Sequence, residues 1–260
     1  MKVIGNFTQT YKTNRMDVAK FFSQDVSLNY FLNQLDKKFF SFHKPEGNIQ
    51  YCKDFANLIK QRFHGVEFLI YNEPIFSHVV HNHMKMLEEK GCTDVLFMYD
   101  DAMCTIPDQE KELGKVILDF YKNSEDIYLL NLSLKGERLI QCGVKPRQTR
   151  VVSAKHNLLA YEFLTTDYAK ASFYEMDDST YLGRMDIVQG LYDETYMTYT
   201  NTDQAEGYVR LKCEQYPISR WVLNKRMFRY CYYTGMHIYN KDKELRFLDR
   251  LIKFKVENHF

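Results

Sequence analysis

The sequence carries almost no net charge. Its 35 Lys and Arg residues nearly balance 34 Asp and Glu residues, which leaves a formal charge of +1 at pH 7. A chain that binds nucleic acid or an anionic membrane through its overall field needs a clear excess of positive charge. The composition therefore argues against nucleic acid as a partner, and it limits any membrane contact to a peripheral one.

The cysteines lack the spacing of a metal site or of a disulfide framework. There are six of them, and none forms a Cys-x-x-Cys pair. A zinc ribbon needs such pairs, and a disulfide-rich secreted domain is usually much shorter than this chain. We therefore expect reduced thiols and a cytoplasmic location.

Long apolar runs are also missing. No segment approaches the roughly 20 apolar residues of a membrane-spanning helix, and the first residues do not resemble a signal peptide. A basic amphipathic segment at 241–255 could contact a membrane surface or another subunit. The alternative is that its apolar side packs on the domain.

Short apolar runs alternate with helical periodicity through the first half of the chain. Strands are predicted at 3–7, 66–71, 94–99 and 127–132, and helices at 26–42, 51–63, 75–90 and 108–122. This alternation predicts an α/β fold with a mostly parallel central sheet flanked by helices, because parallel strands need a crossover connection between them.

The second half of the chain is less regular. Strands are predicted there at 149–154 and 170–175, and helices at 178–192 and 217–232. We expect an irregular, helix-rich C-terminal part that belongs to the same domain, because no linker or repeat divides the 260 residues.

Polar residues follow three of the predicted strands. The first strand runs into a polar loop at 8–15, the second ends at Asn72, and the third ends at Asp100 and Asp101. Ligands of open parallel sheets bind at the carboxyl ends of the strands. Two adjacent carboxylates after a buried strand are costly unless they meet a cation or helix-terminus donors. The alternative is that one of them caps a turn or a helix.

This order of strands and loops resembles the nucleotide-sugar-binding half of GT-A-fold glycosyltransferases, in particular family-2-like enzymes. In that Rossmann-like half, a first strand starts at the N-terminus, a second ends in a residue that faces the base, and a third ends in an Asp-x-Asp motif. The counterparts here are 3–11, 68–73 and 95–102. The motif departs from the family pattern because Tyr99-Asp100-Asp101-Ala102 lacks the second spaced aspartate.

The resemblance implies a single catalytic domain over 1–260. Its nucleotide-sugar-binding half would be 1–135, and its acceptor-binding half, with C-terminal helices, would be 136–260. The nucleotide-sugar-binding residues that it implies are Thr8, Thr10, Tyr11, Arg15, Asn72 and Asp100. Mn²⁺ or Mg²⁺ is the implied cofactor, and the implied metal ligands are Asp101 and His237.

A later acidic pair is the candidate for the catalytic base. In inverting members of the fold, an acidic residue at this place deprotonates the acceptor hydroxyl. Asp178 is the first choice here and Asp177 the second. Asp178 could instead be an ordinary helix N-cap. A retaining enzyme needs no base there, and the sequence leaves inversion and retention open.

Three histidines in the predicted helix 75–90 could bind zinc. They are His78, His81 and His83. The glycines and cysteines that flank such histidines in a nuclease motif are missing, so we interpret them as part of an exposed helix face.

The resulting hypothesis is a glycosyltransferase that moves a sugar from a nucleotide-diphosphate sugar to a hydroxyl of a glycan, lipid or protein. One alternative is a metal-dependent phosphoryl or nucleotidyl transferase that uses the same carboxylates. A second alternative is a nucleotide- or glycan-binding protein without enzymatic activity.

Overall fold

Helices cover both faces of one large β-sheet. The structure, a computed structural model, describes residues 1–10, 25–43, 49–73, 75–99, 102–170 and 180–230. Within these residues the sheet has nine strands, and a second sheet has two. The predicted fold class, a mixed α/β protein with a central sheet flanked by helices, is therefore confirmed.

The strands are, in chain order, β1 (Ile4–Thr10), β2 (Lys38–His43), β3 (Val66–Tyr71), β4 (Asp94–Tyr99), β5 (Ala102–Cys104), β6 (Leu129–Asn131), β7 (Gln148–Ser153), β8 (Leu158–Leu164), β9 (Tyr181–Arg184), β10 (Ser219–Leu223) and β11 (Phe228–Tyr230). The large sheet has the order β3-β2-β1-β4-β9-β6-β10-β8-β7, and β5 pairs with β11. Among the described strands of the large sheet, only β8 and β9 run against the other seven.

The helices are α1 (Val26–Asn33), α2 (Ile49–Lys60), α3 (Phe76–Glu89), α4 (Glu112–Asn123), α5 (Gly136–Gln141), α6 (Thr165–Lys170), α7 (Met185–Leu191), α8 (Glu194–Met197) and α9 (Thr202–Gln215). Apolar side chains of α1, α2 and α4 pack on one face of the large sheet. Those of α3, α7, α8 and α9 pack on the other. The sheet is therefore the middle of three layers.

Strand β4 shows why the central strands read as continuous apolar runs. Successive side chains of a strand point to opposite faces of the sheet. Val95 and Phe97 accordingly join the core on the side of α3, whereas Leu96 and Met98 join the core on the side of α1. Both faces are covered, so the four consecutive positions 95–98 are all apolar.

The predicted helix 26–42 is wrong in its second half. Helix α1 ends at Asn33, and β2 begins five residues later, at Lys38. Phe40 and Phe42 lie in one core and Phe39 in the other. Phe39 and Phe42 fit a helical spacing as well as a doubly buried strand, because a strand covered on both faces has no polar side to reveal its period.

The predicted helix 217–232 is also wrong, since β10 and β11 occupy this part of the chain. Trp221, Val222 and Leu223 are all buried in the interior of the large sheet. Similarly, the described part of the predicted helix 178–192 is a strand, β9, followed by helix α7. Residue 170 of the predicted strand 170–175 ends helix α6, and 171–175 lie outside the described residues.

Strand β9 joins the two halves of the chain. It comes from the second half, yet it lies between β4 and β6 of the first half and pairs antiparallel with both. Gly183 lies opposite Val95 on one side and Leu129 on the other. The division of the chain at residue 135 into two binding halves stays a prediction.

Glycine is required at position 183 because helix α7 lies directly over β9. A Cβ added there would come within 2.6 Å of Val188 Cγ2 and within 2.9 Å of Leu129 Cδ2. We expect Gly183→Ala to lower the free energy of unfolding by about 2 kcal/mol, because overpacking forces the neighbours apart. Chemical denaturation measures the change.

Gly207→Ala in helix α9 is the matched control, since a Cβ there meets no atom within 4 Å. It should raise the free energy of unfolding by about 0.5–1 kcal/mol through the better helix propensity of alanine. Equal effects of the two substitutions would contradict the packing of α7 on β9.

Candidate functional site

The strand order reverses between β1 and β4. From β1 the chain moves outward to β2 and β3, and it then crosses back to place β4 on the other side of β1. The two strands run in parallel and pair from Ile4↔Asp94 to Gln9↔Tyr99, so they end together at the same edge of the sheet. Ligands of open α/β sheets bind in the crevice at such a switch point.

Two further chain segments reach the same edge. Strand β9 starts beside the end of β4, because Tyr181 pairs with Phe97. Strand β11 ends beside the start of β5, because Tyr230 pairs with Ala102. The edge at the end of β4 is thus bordered by the ends of β1 and β11 and by the starts of β5 and β9.

Most of the predicted site residues lie outside the described residues. They are Tyr11, Arg15, Asp100, Asp101, Asp177, Asp178 and His237. The basic amphipathic segment 241–255 also lies outside the described residues. The sequence positions relate them to the described strand ends. Asp100 and Asp101 join β4 to β5, Asp177 and Asp178 shortly precede β9, and His237 follows β11. Their roles stay predictions.

Thr8 and Thr10 belong to β1, and Thr8 is fully buried. The Thr8 hydroxyl accepts a hydrogen bond from Asn6 Nδ2 at 2.6 Å, and the Thr8 carbonyl accepts one from the Ser41 hydroxyl at 3.2 Å. Thr8 is therefore a buried residue of β1 that lies two residues before the end of the strand, and its contact with a ligand stays a prediction.

Asn72 is exposed and follows β3, the outermost strand on this side of the sheet. The loop that contains Asn72 and the loop after β1 do not follow neighbouring strands, because β2 lies between β3 and β1. Neighbouring strands are about 4.8 Å apart, so a ligand that touches both ends must span roughly 10 Å.

Beside the edge, a gap separates the first half of β1 from β2. The two strands pair directly only at Gln9↔Ser41 and Thr10↔Phe42. N-terminal to these pairs, the side chain of Asn6 makes the hydrogen bonds to β2 that a backbone group of β1 would otherwise make. Its Oδ1 accepts from the Phe39 N–H at 2.7 Å, and its Nδ2 donates to the Phe39 carbonyl at 2.9 Å. We call this place the β1–β2 gap.

The imidazole of His83, on helix α3, closes the β1–β2 gap from the other side. Its Nε2 lies 3.1 Å from the Asn6 carbonyl oxygen, and its Nδ1 lies 3.2 Å from the Tyr71 hydroxyl. A carbonyl oxygen can only accept, so Nε2 carries a proton and donates to it; in the neutral ring Nδ1 then accepts from the Tyr71 hydroxyl. The ring also meets Phe7 edge-on, with 4.9 Å between the ring centroids.

Burial controls the ionisation of His83. The side chain has no exposed surface, and desolvation lowers the pKa of His83 from 6.5 to about 4, against a smaller opposite effect of the Asn6 carbonyl. Burial also raises the pKa of Tyr71, and Glu73 raises it further. Both groups are therefore neutral in the folded protein at pH 7.

The other two histidines of α3 also bind backbone. His78 Nε2 lies 3.0 Å from the Met197 carbonyl oxygen, and His81 Nδ1 lies 3.1 Å from the Tyr192 carbonyl oxygen. The interpretation of an exposed helix face is wrong for His83, which is fully buried, and His78 and His81 are each partly covered. These two side chains attach α3 to the segment that carries α8.

Asn131, at the end of β6, is a polar residue that the sequence reasoning missed. It is fully buried, and its Oδ1 accepts from the N–H groups of Ser133 and Leu134 at 2.8 and 2.7 Å. Its Nδ2 has no hydrogen-bond partner in the part of the chain that the structure describes. A polar residue at the end of the predicted strand 127–132 was the available signal.

No set of three or more His, Cys, Asp or Glu side chains in the described ranges could hold a metal ion. The predicted ligands Asp101 and His237 are outside those ranges. A helix long and apolar enough to cross a bilayer is likewise not found among the described residues.

Comparisons with known proteins give similar solved structures and no family. No protein-family model matches the chain, and no curated protein sequence matches it. A protein assigned as a nucleotide-diphospho-sugar transferase from Desulfovibrio desulfuricans G20 is 10% identical, with 98% of this chain and 99% of that chain covered, at a TM-score of 0.45. UDP-glucose pyrophosphorylase from Acinetobacter baumannii is 10% identical, with 95% and 92% covered, at a TM-score of 0.46. At these values neither likeness gives a role to any residue here.

The depressed pKa of His83 makes stability depend on pH. The unfolded chain binds a proton near pH 6.5 and the folded chain only near pH 4. The contribution of neutral His83 is therefore complete above about pH 6.5, and it should fall by up to about 3 kcal/mol as the pH drops to about 4. Urea denaturation between about pH 7 and pH 4.5 measures this slope.

His83→Gln is the reference variant for this measurement, because glutamine does not titrate and its amide can still donate to the Asn6 carbonyl. All carboxylates titrate in both proteins, so the difference between the two slopes isolates His83. Parallel slopes in this range would contradict a buried neutral imidazole.

Proposed function

We propose that this chain is a glycosyltransferase that moves a sugar from a nucleotide-diphosphate sugar to a hydroxyl of a glycan, lipid or protein. The observation that carries the proposal is the switch point between β1 and β4. The parallel pairing ends at Gln9↔Tyr99, so the chain leaves β1 toward 11–15 and leaves β4 toward 100–101 at the same edge of the sheet. Crevices of this kind hold nucleotides in open α/β sheets.

We expect the acidic link to hold the diphosphate through a bound cation, because carboxylates alone repel a diphosphate. Asp100 and Asp101 are the two residues between β4 and β5, and each of these strands is hydrogen-bonded into a sheet. We expect a two-residue connection between two anchored strands to preorganise its carboxylates. Arg15, from the loop after β1, would pair with a phosphate through two parallel hydrogen bonds.

The donor atoms of the predicted ligands suit a divalent cation. Asp101 and His237 would hold it. The pairing of Tyr230 with Ala102 supports this set, because Asp101 directly precedes Ala102 in the sequence and the segment with His237 follows Tyr230. Carboxylate together with imidazole favours Mn²⁺, since Mg²⁺ prefers oxygen ligands alone. Once bound, the cation would neutralise the charge that develops on the diphosphate leaving group.

In the proposed reaction, a carboxylate acts as general base. Asp178, or Asp177 beside it, would take the proton of the acceptor hydroxyl while the hydroxyl oxygen attacks the anomeric carbon of the sugar. The bond between that carbon and the diphosphate oxygen breaks, and the nucleoside diphosphate leaves with the bonding electrons. The start of β9 beside the end of β4 supports this role, because Asp177 and Asp178 lie three and two residues before Thr180.

A nucleotidyl transferase that joins a nucleoside triphosphate to a sugar phosphate could use the same carboxylates. Triphosphates are often held by glycine-rich loops whose backbone N–H groups approach the phosphates closely. The segment 8–24, which leaves the end of β1, contains no glycine. Glycine-rich loops also hold pyrophosphate groups, so this composition does not separate the two functions and the products of the reaction must do so.

Binding of a nucleotide sugar tests the proposal. In calorimetric titrations with UDP-, GDP- and dTDP-sugars, with and without Mn²⁺, we expect one nucleotide to bind and Mn²⁺ to strengthen the binding. Asp101→Asn should weaken the Mn²⁺-dependent binding about tenfold or more, because the amide removes a charged ligand of the cation.

Asp119→Asn is the control, since Asp119 is an exposed residue of α4 paired with Lys115. It should bind the donor as the wild-type chain does. A wild-type chain that binds no nucleotide sugar in the panel would sink the proposal. Pyrophosphate release from a triphosphate and a sugar 1-phosphate, without transfer to a hydroxyl, would favour the nucleotidyl transferase.

A further inference from the structure

The β1–β2 gap is a place where side chains replace a backbone ladder. Neighbouring parallel strands normally exchange evenly spaced N–H···O=C bonds. Here both backbone groups of Phe39 bond to the side chain of Asn6, and the backbone carbonyl of Asn6 bonds to His83. Buried backbone groups need partners, so the spacing of the two strands depends on these two side chains.

The hydrogen bonds in the β1–β2 gap also hold the backbone of β1 just before the strand reaches the edge of the sheet. Asn6 Nδ2 donates to the Thr8 hydroxyl as well as to Phe39. The Ser41 hydroxyl donates to the Thr8 carbonyl, and direct pairing of the strands resumes one residue later, at Gln9. The side chains in the gap therefore determine where the pairing resumes and how β1 presents its end.

From helix α3, His83 holds Asn6 in place by a hydrogen bond to its backbone carbonyl. It is fully buried, and it cannot turn without losing a partner, because one ring nitrogen serves Asn6 and the other serves Tyr71. Without the imidazole, the Asn6 carbonyl would be a buried acceptor with no donor. Strand β1 could then relieve that cost by shifting toward β2 and displacing the Asn6 amide from Phe39.

We infer that His83 is a positioning residue for ligand binding: through Asn6 it holds the end of β1 in the position that receives the nucleotide-diphosphate sugar. The inference rests on the proposed function. His83 does not touch the ligand. Its effect is on the fraction of molecules in which the end of β1 is in place, and the apparent affinity falls in proportion to that fraction.

The test compares donor binding by variants of two histidines on the same helix. His83→Leu removes the hydrogen bonds to Asn6 and Tyr71, and it should raise the dissociation constant of the nucleotide sugar by about tenfold. His81→Leu is the matched control, since His81 also bonds a backbone carbonyl, that of Tyr192, but away from β1. It should leave the dissociation constant within about twofold of the wild-type value.

Two milder variants keep the test decisive if His83→Leu does not fold. His83→Gln can still donate to the Asn6 carbonyl and should restore most of the affinity. Tyr71→Phe removes only the hydroxyl that holds the other ring nitrogen, and it should weaken binding by about threefold. Wild-type binding by Tyr71→Phe would overturn the inference, and so would binding by His83→Gln that is as weak as that of His83→Leu.

Hydrogen exchange gives a readout that does not depend on a ligand. The amide protons of residues 8–10 should exchange faster in His83→Leu than in His81→Leu at matched overall stability. Equal exchange in the two variants would overturn the inference even if the wild-type chain binds the donor. If the wild-type chain binds no nucleotide sugar, the proposed function fails and the inference falls with it.

Discussion

The parallel ladder between β1 and β4 is the constraint on which the rest of the arrangement depends. Its six residue pairs bring together two strands that are about 90 residues apart in the sequence. Because the strands run in parallel and start in register, they also end in register. The other described features of the edge follow from this ladder: the place where the chain leaves β4, the place where β9 enters the sheet and the side of β1 on which β2 packs.

The sequence predicted the elements whose periodicity is unambiguous. Strands β1, β3, β4 and β6 and helices α2, α3 and α4 lie close to their expected positions, because each shows either a short apolar run between polar turns or one apolar helix face. Strand β2 was missed, since Phe39, Phe40 and Phe42 are buried on both faces and imitate a helical pattern. Strand β10 was missed for a similar reason: only its neighbours in the completed sheet reveal that Trp221 belongs to a strand.

The sequence indicated where a candidate site should lie, but it did not indicate the buried side chains that hold the strands around it. The polar residues that follow the predicted strands indicated that ligands should meet strand ends, whereas the pairing of β1 with β4 is seen only in the structure. The roles of Asn6 and His83 depend instead on which strand lies beside β1, and no local pattern contains that information. A signal did exist: an asparagine inside an otherwise apolar strand is costly unless something binds it. Polar residues within predicted buried strands therefore point to tertiary hydrogen bonds before the partner is known.

The position of β9 has a consequence for how the chain acquires its structure during synthesis. Strands β4 and β6 leave the ribosome first, yet the strand that separates them follows 50 residues after Asn131. At typical translation rates that interval lasts roughly 3–10 s. Until β9 arrives, both apolar strands present an unpaired edge, which is the kind of surface that recruits other chains. During this period the yield of folded protein depends on how rarely the exposed strand edges meet other chains, and a chaperone that covers them would raise it.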